Sequence, residues 1–419
     1  MDTFKVGLIG AGTMAEQYAQ AYLGMDRERV RLTAVCDLDG RLAARRAAAW
    51  EIPLSCDDYK RILACDDVDA VNIITPNCTH ARITIDALEA GKHVLCEKPP
   101  ALNAREAAAM QEAAQKSGKT LMYGFVFRHA DKTKLIADWR TKGVFGEIYY
   151  AKAGFIRRCG SPGGWFTDRS MSGGGPLMDL GVHLLDLAMY LMGKPQPCSV
   201  VGRTFRKLGN RANIKGKSWY KANRADAGPD DVEDMAVALI NFANGACLNL
   251  EASYASHIKD EAMYLELLGD KAGAVVEPGL EIHGESWDYL TDIQPVLDDY
   301  SLFNAKSSIR NELEHFLACA IDGAPCLAPP EDGVTVMKVV DAIYESARLG
   351  KLVEIPTAAK RSAKTREDQP DISMGRGTAR SGWKGLYLSQ PTRAPLLRAG
   401  SPKSRRTRGP AATFLGARG

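Results

Sequence analysis

The first 124 residues alternate between short apolar runs and amphipathic stretches. The predicted buried β-strands are 4–9, 31–36, 70–74, 93–97 and 120–124. The clearest helical patterns between them are Arg41–Trp50, Thr79–Ala90 and Asn103–Ser117. Asn103 is a predicted N-cap of the last helix, and Gly118 its C-terminal stop. Repeated strand–helix units with apolar strands predict a parallel, doubly wound sheet covered by helices on both faces.

After residue 125 the strands become longer and the helices fewer. Predicted strands lie at 147–156, 198–205, 235–255 and 263–270, and Asn244-Gly245 marks a tight turn inside the third. The predicted helices are Pro176–Met192, which has proline at its start, Ile309–Ile321 and Gly333–Leu349. This pattern predicts an α+β second domain with a large, mostly antiparallel sheet. The expected domains are therefore 1–124 and 125–356, followed by a tail at 357–419.

Composition places the chain among ordinary globular proteins. It has 419 residues, 45% hydrophobic and 25% charged, and no apolar run of 18 residues that would predict a membrane span. The N-terminus enters a strand directly, so no signal peptide is expected. Ten cysteines without a C-x-x-C pair favour reduced thiols and a cytoplasmic location. No Cys/His cluster has the spacing of zinc ligands, so no metal site is expected.

The charge is distributed unevenly between the body and the tail. Residues 357–419 contain 14 Lys+Arg and 3 Asp+Glu, although the whole chain carries a net charge of only +3. The tail lacks periodicity and is rich in Arg, Gly, Ser and Pro, which predicts disorder. A basic tail can bind nucleic acid by nonspecific electrostatics. Its abrupt change of composition favours the alternative, an idle or unselected extension, over a nucleic-acid partner.

The first motif with chemical meaning is a glycine-rich turn between a predicted strand and a helix. Gly10-Ala11-Gly12-Thr13-Met14-Ala15 has the pattern G-x-G-x-x-A. The first glycine permits the tight turn, and the second lets a pyrophosphate approach the backbone. The helix N-terminus that follows offers free N–H groups to phosphate oxygens. The context on both sides favours dinucleotide binding over a simple turn.

The second strand ends in an acid that bears on the choice of cofactor. The carboxylate of Asp37 can accept hydrogen bonds from an adenosine ribose diol, and with Asp39 it would repel a 2′-phosphate. Arg41 could pair with such a phosphate, which weakens the argument. The pattern favours NAD over NADP, with NADP as the alternative. Asp37 could instead be only a helix N-cap.

Two further motifs follow the next two strands of the predicted sheet. Thr75-Pro76-Asn77-Cys78-Thr79-His80 should lie on the cofactor, since ligands bind beyond the carboxyl ends of such strands. His80 could instead cap its helix. Glu97-Lys98-Pro99-Pro100 lies on the same rim, and Pro99 keeps Lys98 out of helical angles. A directed ammonium can hold a substrate oxygen. The alternative is a surface lysine paired with Glu97.

The fourth motif lies in the helix predicted for the second domain. Within Gly173-Gly174-Gly175-Pro176-Leu177-Met178-Asp179-Leu180-Gly181-Val182-His183, Asp179 and His183 are four residues apart and share a helix face, with Asp186 close to it. An acid and an imidazole in a mostly apolar helix are costly unless they are used or paired. The imidazole can accept a proton near neutral pH, and the acid can bind hydroxyl groups. A buried structural Asp–His pair is the alternative.

Together and in this order, the four motifs resemble the Gfo/Idh/MocA family of oxidoreductases over about residues 3–356. E-K-P followed by D-x-G-x-H is the specific part of the resemblance. It implies a Rossmann domain, a C-terminal α/β domain whose open sheet makes oligomer contacts, and an NAD(P)-dependent dehydrogenase that acts on a sugar or cyclitol hydroxyl or carbonyl. A homodimer or homotetramer is therefore expected.

The resemblance also implies roles for individual residues. His183 would accept the proton of the substrate hydroxyl, Lys98 would orient that oxygen, and Asp179 would position both substrate and His183. The residues implied for the pyrophosphate and the adenosine ribose are Gly10, Gly12, Thr13, Met14 and Asp37. Those implied for the nicotinamide half are Thr75, Pro76, Asn77, His80, Glu97 and Lys98.

Two segments are expected to face the substrate. Arg128 lies in Phe125–His129, where relatives carry an arginine near the site. Trp165 lies in the loop 157–166 and could stack on the apolar face of a sugar, or simply pack. The basic insertion Lys207–Arg224 departs from the family pattern and could be a lid, an oligomer contact or a solvated loop.

Two other functions are compatible with the motifs. The first is a non-catalytic NAD(P)-sensing regulatory protein of the same fold, against which the complete Lys98, Asp179 and His183 set argues. The second is an NAD-dependent glycoside-cleaving enzyme, which also begins by removing a hydride from a sugar carbon.

Overall fold

A six-stranded parallel sheet forms the first half of the structure, a computed structural model that describes residues 3–209, 229–304 and 306–356. Its strands are β1 (Phe4–Ile9), β2 (Val30–Cys36), β3 (Leu54–Cys56), β4 (Ala70–Ile73), β5 (His93–Glu97) and β6 (Leu121–Gly124). Their order across the sheet is β3-β2-β1-β4-β5-β6. The helices are α1 (Thr13–Leu23), α2 (Gly40–Trp50), α3 (Tyr59–Leu63), α4 (His80–Glu89) and α5 (Ala104–Ser117).

The central strands of this sheet are apolar because both faces are covered. All four residues of β4 are buried, as are the last four of β1. Asn103 caps α5 by accepting a hydrogen bond from the Glu106 amide at 3.0 Å, and Gly118 ends it at φ 64°, as predicted. The sequence pattern missed β3 and α3, which at three and five residues are too short to show a period.

A nine-stranded sheet forms the second half. Its strands are β7 (Ile148–Ile156), β8 (Pro197–Phe205), β9 (Met235–Phe242), β10 (Cys247–Ser253), β11 (Ala262–Gly269), β12 (Ala272–Glu277), β13 (Glu281–Ser286), β14 (Tyr289–Ile293) and β15 (Val353–Glu354). Their order is β14-β13-β12-β11-β7-β10-β9-β8-β15. Among the described strands of this second sheet, only β7 and β10 pair in parallel, so the prediction of a mostly antiparallel sheet is confirmed.

Two tight turns illustrate which hairpins the sequence revealed. Asn244-Gly245 joins β9 to β10 as predicted, with Gly245 at φ 88°. Trp287 and Asp288 join β13 to β14 at φ 53° and 65°. Positive φ at both central positions is the geometry that Asn-Gly usually signals. A Trp-Asp pair carries no such signal, so this hairpin was not predicted.

The predicted helix from Pro176 to Met192 is two elements rather than one. Leu177–Gly181 forms a π-helical turn, and α8 (Val182–Leu191) follows it directly. Earlier in this half lie two other α-helices, α6 (Asp131–Thr141) and α7 (Arg169–Ser172). Gly181 lies against β10, where an added Cβ would be 3.1 Å from that of Ala252. π-turns within helices are frequent at functional sites, and this one carries Asp179.

Two late helices connect the halves of the structure. These are α9 (Ser308–Asp322), which packs on α1, and α10 (Pro330–Leu349), which packs on α5 and β8. The described residues belong to one compact unit. The tail from residue 357 and residues 210–224 of the basic insertion lie outside the described residues. Within the described part of the chain, none of the helices has the length and apolarity to cross a membrane.

Candidate active site

A large cavity lies between the carboxyl edge of the parallel sheet and the second sheet. Its volume is about 1640 Å³, and its lining runs from Gly10 and Asp37 at one end to Lys98, Asp179 and His183. Pockets for one drug-sized ligand usually measure about 300–1,000 Å³. The cavity can therefore hold a dinucleotide and a small substrate together.

The glycine-rich turn forms one wall of the cavity. Gly10 has φ 101°, and a Cβ added there would lie 2.2 Å from the carbonyl oxygen of Ile74. Gly12 is the N-cap of α1 and provides no side-chain cap to the helix. The first amides of α1 therefore face the cavity without a capping side chain, which is the arrangement that binds phosphate. Gly10, Gly12, Thr13 and Met14 all line this wall.

Asp37 closes the same end of the cavity. Its carboxylate accepts hydrogen bonds from the amides of Ala11 and Asp39, each at 2.9 Å. The N-cap of α2 is Asp39, which accepts from the amides of Arg41 and Leu42. Asp37 is therefore not a helix cap. It fixes the glycine-rich turn and places negative charge where a ribose diol would bind.

Replacing Asp37 by serine is expected to shift cofactor preference toward NADP. The change removes the charge that repels a 2′-phosphate, and we expect kcat/KM for NADP relative to NAD to rise about tenfold, ~1.4 kcal/mol. The check is steady-state kinetics with both cofactors. Asp66→Ser, at an exposed aspartate outside the cavity, is the matched control. An unchanged ratio in Asp37→Ser would contradict this role.

The loop after β4 is tied to the second half of the structure. Asn77 is 4% exposed, and its side-chain amide donates to the carbonyl of Ser172 at 2.8 Å. The hydroxyl of Thr79 lies 2.7 Å from both the Thr75 hydroxyl and the Pro76 carbonyl. Thr75, Pro76 and Asn77 line the cavity, as expected for a loop that contacts the cofactor.

His80 does not line the cavity, which corrects the expectation from the sequence. Its ring is fully buried, with Nδ1 2.8 Å from the Pro99 carbonyl and Nε2 2.9 Å from the Thr75 carbonyl. Burial lowers the pKa of His80 below its ordinary value. The imidazole thus links the loop after β4 to the loop after β5, and it is not among the residues that line the cavity.

Glu97 belongs to a buried carboxyl network at the rim of the sheet. The hydroxyl of Tyr18 lies 2.6 Å from Glu97 and 2.9 Å from Glu312. Burial raises the pKa of Glu97, and it raises that of Glu312 well above the ordinary range. Glu97 also accepts the Lys98 amide at 2.9 Å, so it fixes the backbone of that residue.

The Lys98 ammonium pairs with Asp179 across the cavity, not with Glu97. Its Nζ lies 2.8 Å from Oδ1 of Asp179 and 3.0 Å from the Asp179 carbonyl oxygen. The hydroxyl of Tyr254 donates to the other carboxylate oxygen at 3.2 Å. Both charged side chains are largely buried, 16% and 13% exposed, and both line the cavity. A lysine from one sheet thus meets an acid from the other half of the chain.

His183 lies beside this pair. Its ring stacks on Phe127 with centroids 4.6 Å apart, and its buried Nδ1 has no hydrogen-bond partner among the described residues. Burial lowers the pKa of His183 well below its ordinary value, and the positive charge of Lys98 adds to that effect. Burial alone would raise the pKa of Asp179, but Lys98 and Arg157 outweigh it and keep that carboxyl ionised. The site therefore combines a neutral imidazole with a fixed ion pair.

Glu233 supports the π-turn that carries Asp179, and the sequence did not reveal it. One carboxylate oxygen accepts the Gly175 amide at 3.0 Å and the Tyr344 hydroxyl at 2.8 Å. A Cβ added at Gly175 would lie 2.0 Å from the Glu233 carbonyl oxygen. The three glycines before the turn were the available signal, because they allow this close approach.

Arg128 is not a cavity residue, contrary to the expectation that it binds substrate. Its guanidinium is 2% exposed and contacts Asp186 at 2.9 and 2.6 Å and Asp332 at 2.6 Å. It also donates to the Leu327 carbonyl. Asp186 is thus a buried partner of Arg128 and does not line the cavity. The arginine joins α8 to the start of α10.

Replacing Arg128 by methionine is expected to lower the free energy of unfolding by about 3–5 kcal/mol, because two carboxyl groups lose their buried partner. Urea unfolding of the purified variant measures this. Arg348→Met removes an exposed arginine paired with Glu345 and should change stability little. Equal stability of the two variants would show that the buried pairs contribute nothing.

Trp165 lines the same cavity as Lys98, Asp179 and His183. Its ring is partly exposed and stacks on Phe166 with centroids 3.8 Å apart. Arg157, from the same predicted segment, also lines the cavity and is 5% exposed. An aromatic face and a guanidinium therefore border the space beside Lys98, Asp179 and His183.

Two family models match this chain and together cover most of it. The model described as "Oxidoreductase family, NAD-binding Rossmann fold" matches residues 4–125, and that described as "Oxidoreductase family, C-terminal alpha/beta domain" matches residues 141–355. The fold and the cavity define an NAD-binding oxidoreductase. The chain belongs to the Gfo/Idh/MocA family.

Similar proteins are sugar and polyol dehydrogenases. The chain is 36% identical to D-glucoside 3-dehydrogenase of Escherichia coli, over 84% of this chain and 97% of that one. It is 27% identical to inositol 2-dehydrogenase of Rhizobium meliloti, over 84% and 99%. A solved structure, levoglucosan dehydrogenase in complex with NADH, superposes with a TM-score of 0.75 and is 26% identical, covering 85% of this chain and all of the other.

These findings confirm the predicted family, the fold class and NAD as cofactor. They also confirm the predicted class of enzyme, an NAD(P)-dependent dehydrogenase acting on CH–OH groups. The regulatory and glycoside-cleaving alternatives are not favoured, since the named relatives are dehydrogenases. The roles of individual residues stay predictions.

Proposed function

We propose that the protein oxidises a secondary ring hydroxyl of a D-glucoside or a related anhydrosugar to the keto sugar. The observation that carries this proposal is the Lys98–Asp179 ion pair beside His183, in a cavity whose volume can hold a dinucleotide and a small substrate. When bound, NAD would serve as the hydride acceptor. All other roles fall to residues of this chain.

His183 accepts the proton of the substrate hydroxyl. A general base must be unprotonated before it can act, and the lowered pKa of His183 keeps its imidazole neutral near pH 7. Stacking on Phe127 holds the ring in one orientation. The position of the base is thus set before substrate binds.

Lys98 binds the substrate oxygen and stabilises the negative charge that develops on it. Asp179 holds the ammonium through its carboxylate and its carbonyl oxygen, so the charge needs little reorganisation during the reaction. Asp179 also offers its carboxylate to a neighbouring substrate hydroxyl. Glu233 acts as a positioning residue by fixing the turn from which Asp179 extends.

The substrate class rests on the shape of the site and on the relatives. Trp165 and Phe166 present aromatic faces that suit the C–H side of a pyranose ring. D-glucoside 3-dehydrogenase and levoglucosan dehydrogenase, named for pyranose-type substrates, are 36% and 30% identical to this chain. We therefore place glucosides ahead of inositols as substrates.

The test is formation of NADH with purified full-length protein and a panel of methyl D-glucosides, levoglucosan and myo-inositol. The keto product would be reduced with borodeuteride, and the labelled ring carbon identified by NMR. Turnover of a glucoside with a label on one secondary carbon supports the proposal. NADH binding without turnover of any panel member would overturn it.

The pH dependence of kcat/KM is expected to show no acid limb near pH 6.5. An ordinary histidine is half protonated there, but the pKa of His183 lies well below that value, so its imidazole stays unprotonated as the pH falls through 6.5. Lys98→Met should move the limb to higher pH, since Lys98 helps to lower this pKa. The test is to measure kcat/KM against pH for the unmodified enzyme and for Lys98→Met. A midpoint at or above pH 6.5 in the unmodified enzyme would contradict it.

We also propose that the outer face of the nine-stranded sheet forms the contact of a homodimer or homotetramer. Val201 and Leu239 are register partners on this face and are 39% and 41% exposed, with Phe205 nearby at 38%. Light scattering of the wild type and of Leu239→Lys tests the contact.

A cytoplasmic location is proposed as well, supported by ten cysteines that are all free.

A further inference from the structure

A histidine and two cysteines lie together behind the cavity, outside the site described above. His315 and Cys319 are one helical turn apart on α9, and Cys326 comes from the loop that follows. One ligand atom from each lies within 4.8 Å of the others. The wide gap between Cys319 and Cys326 hid this cluster in the sequence, because only folding of the loop brings the second thiol back to the helix.

The spacing of the cluster is close to that of a zinc site. Zn–S bonds of about 2.3 Å and Zn–N bonds of about 2.1 Å at tetrahedral angles place S and N roughly 3.6 Å apart. The Sγ of Cys319 lies 3.4 Å from Nε2 of His315. The third ligand atom, from Cys326, needs only a small shift to complete one face of a tetrahedron.

The surroundings supply a further imidazole. The ring of His129 lies 5.4 Å from that of His315, and its buried Nε2 has no partner among the described residues. His129 is itself 1% exposed. Soft and borderline metals prefer this set of ligands.

We propose that His315, Cys319 and Cys326 bind a zinc ion, with water or His129 as the fourth ligand. Binding replaces the hydrogen bond that the Leu327 amide donates to Nε2 of His315 at 3.0 Å. That amide follows Cys326 directly, so it can donate to a thiolate sulfur. Both cysteines bind as thiolates, so their thiol protons are released to solvent as the metal binds.

The position of the cluster gives the ion a structural role. The Leu327 carbonyl accepts a hydrogen bond from Arg128, and the Ala328 carbonyl accepts the Tyr123 amide of β6 at 3.1 Å. The loop 323–329 therefore covers the edge of the parallel sheet. A metal that joins this loop to α9 would stabilise that edge without touching the cavity.

The test is zinc uptake by full-length protein under reducing conditions, measured by competition with a chromophoric chelator. Cobalt substitution provides a second signal, since thiolate ligands give intense charge-transfer absorption. The variants are Cys319→Ser and Cys326→Ser. Cys247→Ser, at a partly exposed cysteine of β10 with no histidine partner in the described structure, is the matched control. NADH binding by each variant verifies folding.

We expect the wild type and Cys247→Ser to bind one equivalent of zinc, to show the cobalt–thiolate absorption and to melt at higher temperature with zinc. All three signals should be lost in Cys319→Ser and Cys326→Ser. Equal zinc uptake in all four proteins, or uptake by none while NADH still binds, would overturn the proposal. So would a cobalt spectrum without thiolate bands.

Discussion

Replacing Lys98 by methionine is expected to lower kcat by about 10²–10³-fold, the usual loss when a preorganised group that stabilises an oxyanion is removed. Methionine keeps most of the length of the side chain but removes the ammonium that lies 2.8 Å from Asp179. The Asp179 carboxylate then loses its main counter-charge inside the cavity. The substrate oxygen loses the ammonium that stabilises its developing charge, so the loss should appear in kcat more than in KM.

The measurement is steady-state oxidation of the best substrate of the panel, together with NADH binding by fluorescence. Lys116→Met removes a lysine that is 74% exposed and paired on the surface with Glu112, and it should leave both quantities unchanged. Cofactor affinity within a few fold of the wild type would show that Lys98→Met is folded. A kcat equal to that of the control would remove Lys98 from the reaction.

Replacing His183 by alanine is expected to lower kcat by about 10²–10⁴-fold, the range typical of a lost general base. The ring stacks on Phe127, so its removal leaves a space of imidazole shape against an intact aromatic surface. Added imidazole should therefore restore part of the activity, and the restored rate should depend on the unprotonated fraction of the added base.

Chemical rescue separates a proton acceptor from a structural histidine. A purely structural role would lower stability and would not respond to added imidazole. His257→Ala, at an exposed histidine outside the cavity, is the control for the substitution itself. A His183→Ala variant that is folded, binds NADH and retains the wild-type kcat would assign the proton transfer to another group.

The sequence predicted those parts of the site that local chemistry defines. The glycines at 10 and 12 are required by the turn itself, and Lys98 was restricted by the proline that follows it. Both lie where the pattern placed them, along the cavity. Asp179 and His183 were recognisable because polar groups on an apolar helix need a reason to be there.

The parts that could not be predicted depend on contacts between distant segments. Nothing near Arg128 in the sequence shows that Asp186 and Asp332 neutralise it, so a buried structural arginine resembled a substrate ligand. His80 was misplaced for the same reason, since its two carbonyl partners come from separate loops. Glu233 reaches Gly175 from 58 positions along the chain.

The division of the cavity between two sheets has a consequence for how such enzymes diversify. The residues that surround the expected cofactor precede residue 99, whereas Asp179, His183 and Trp165 follow residue 164. Exchanging the second segment between relatives would thus alter which alcohol is oxidised and leave the redox partner unchanged. A chimera of this kind must preserve the Lys98–Asp179 contact between the two segments. With that contact kept, hybrid proteins of this architecture are a practical route to new sugar specificities.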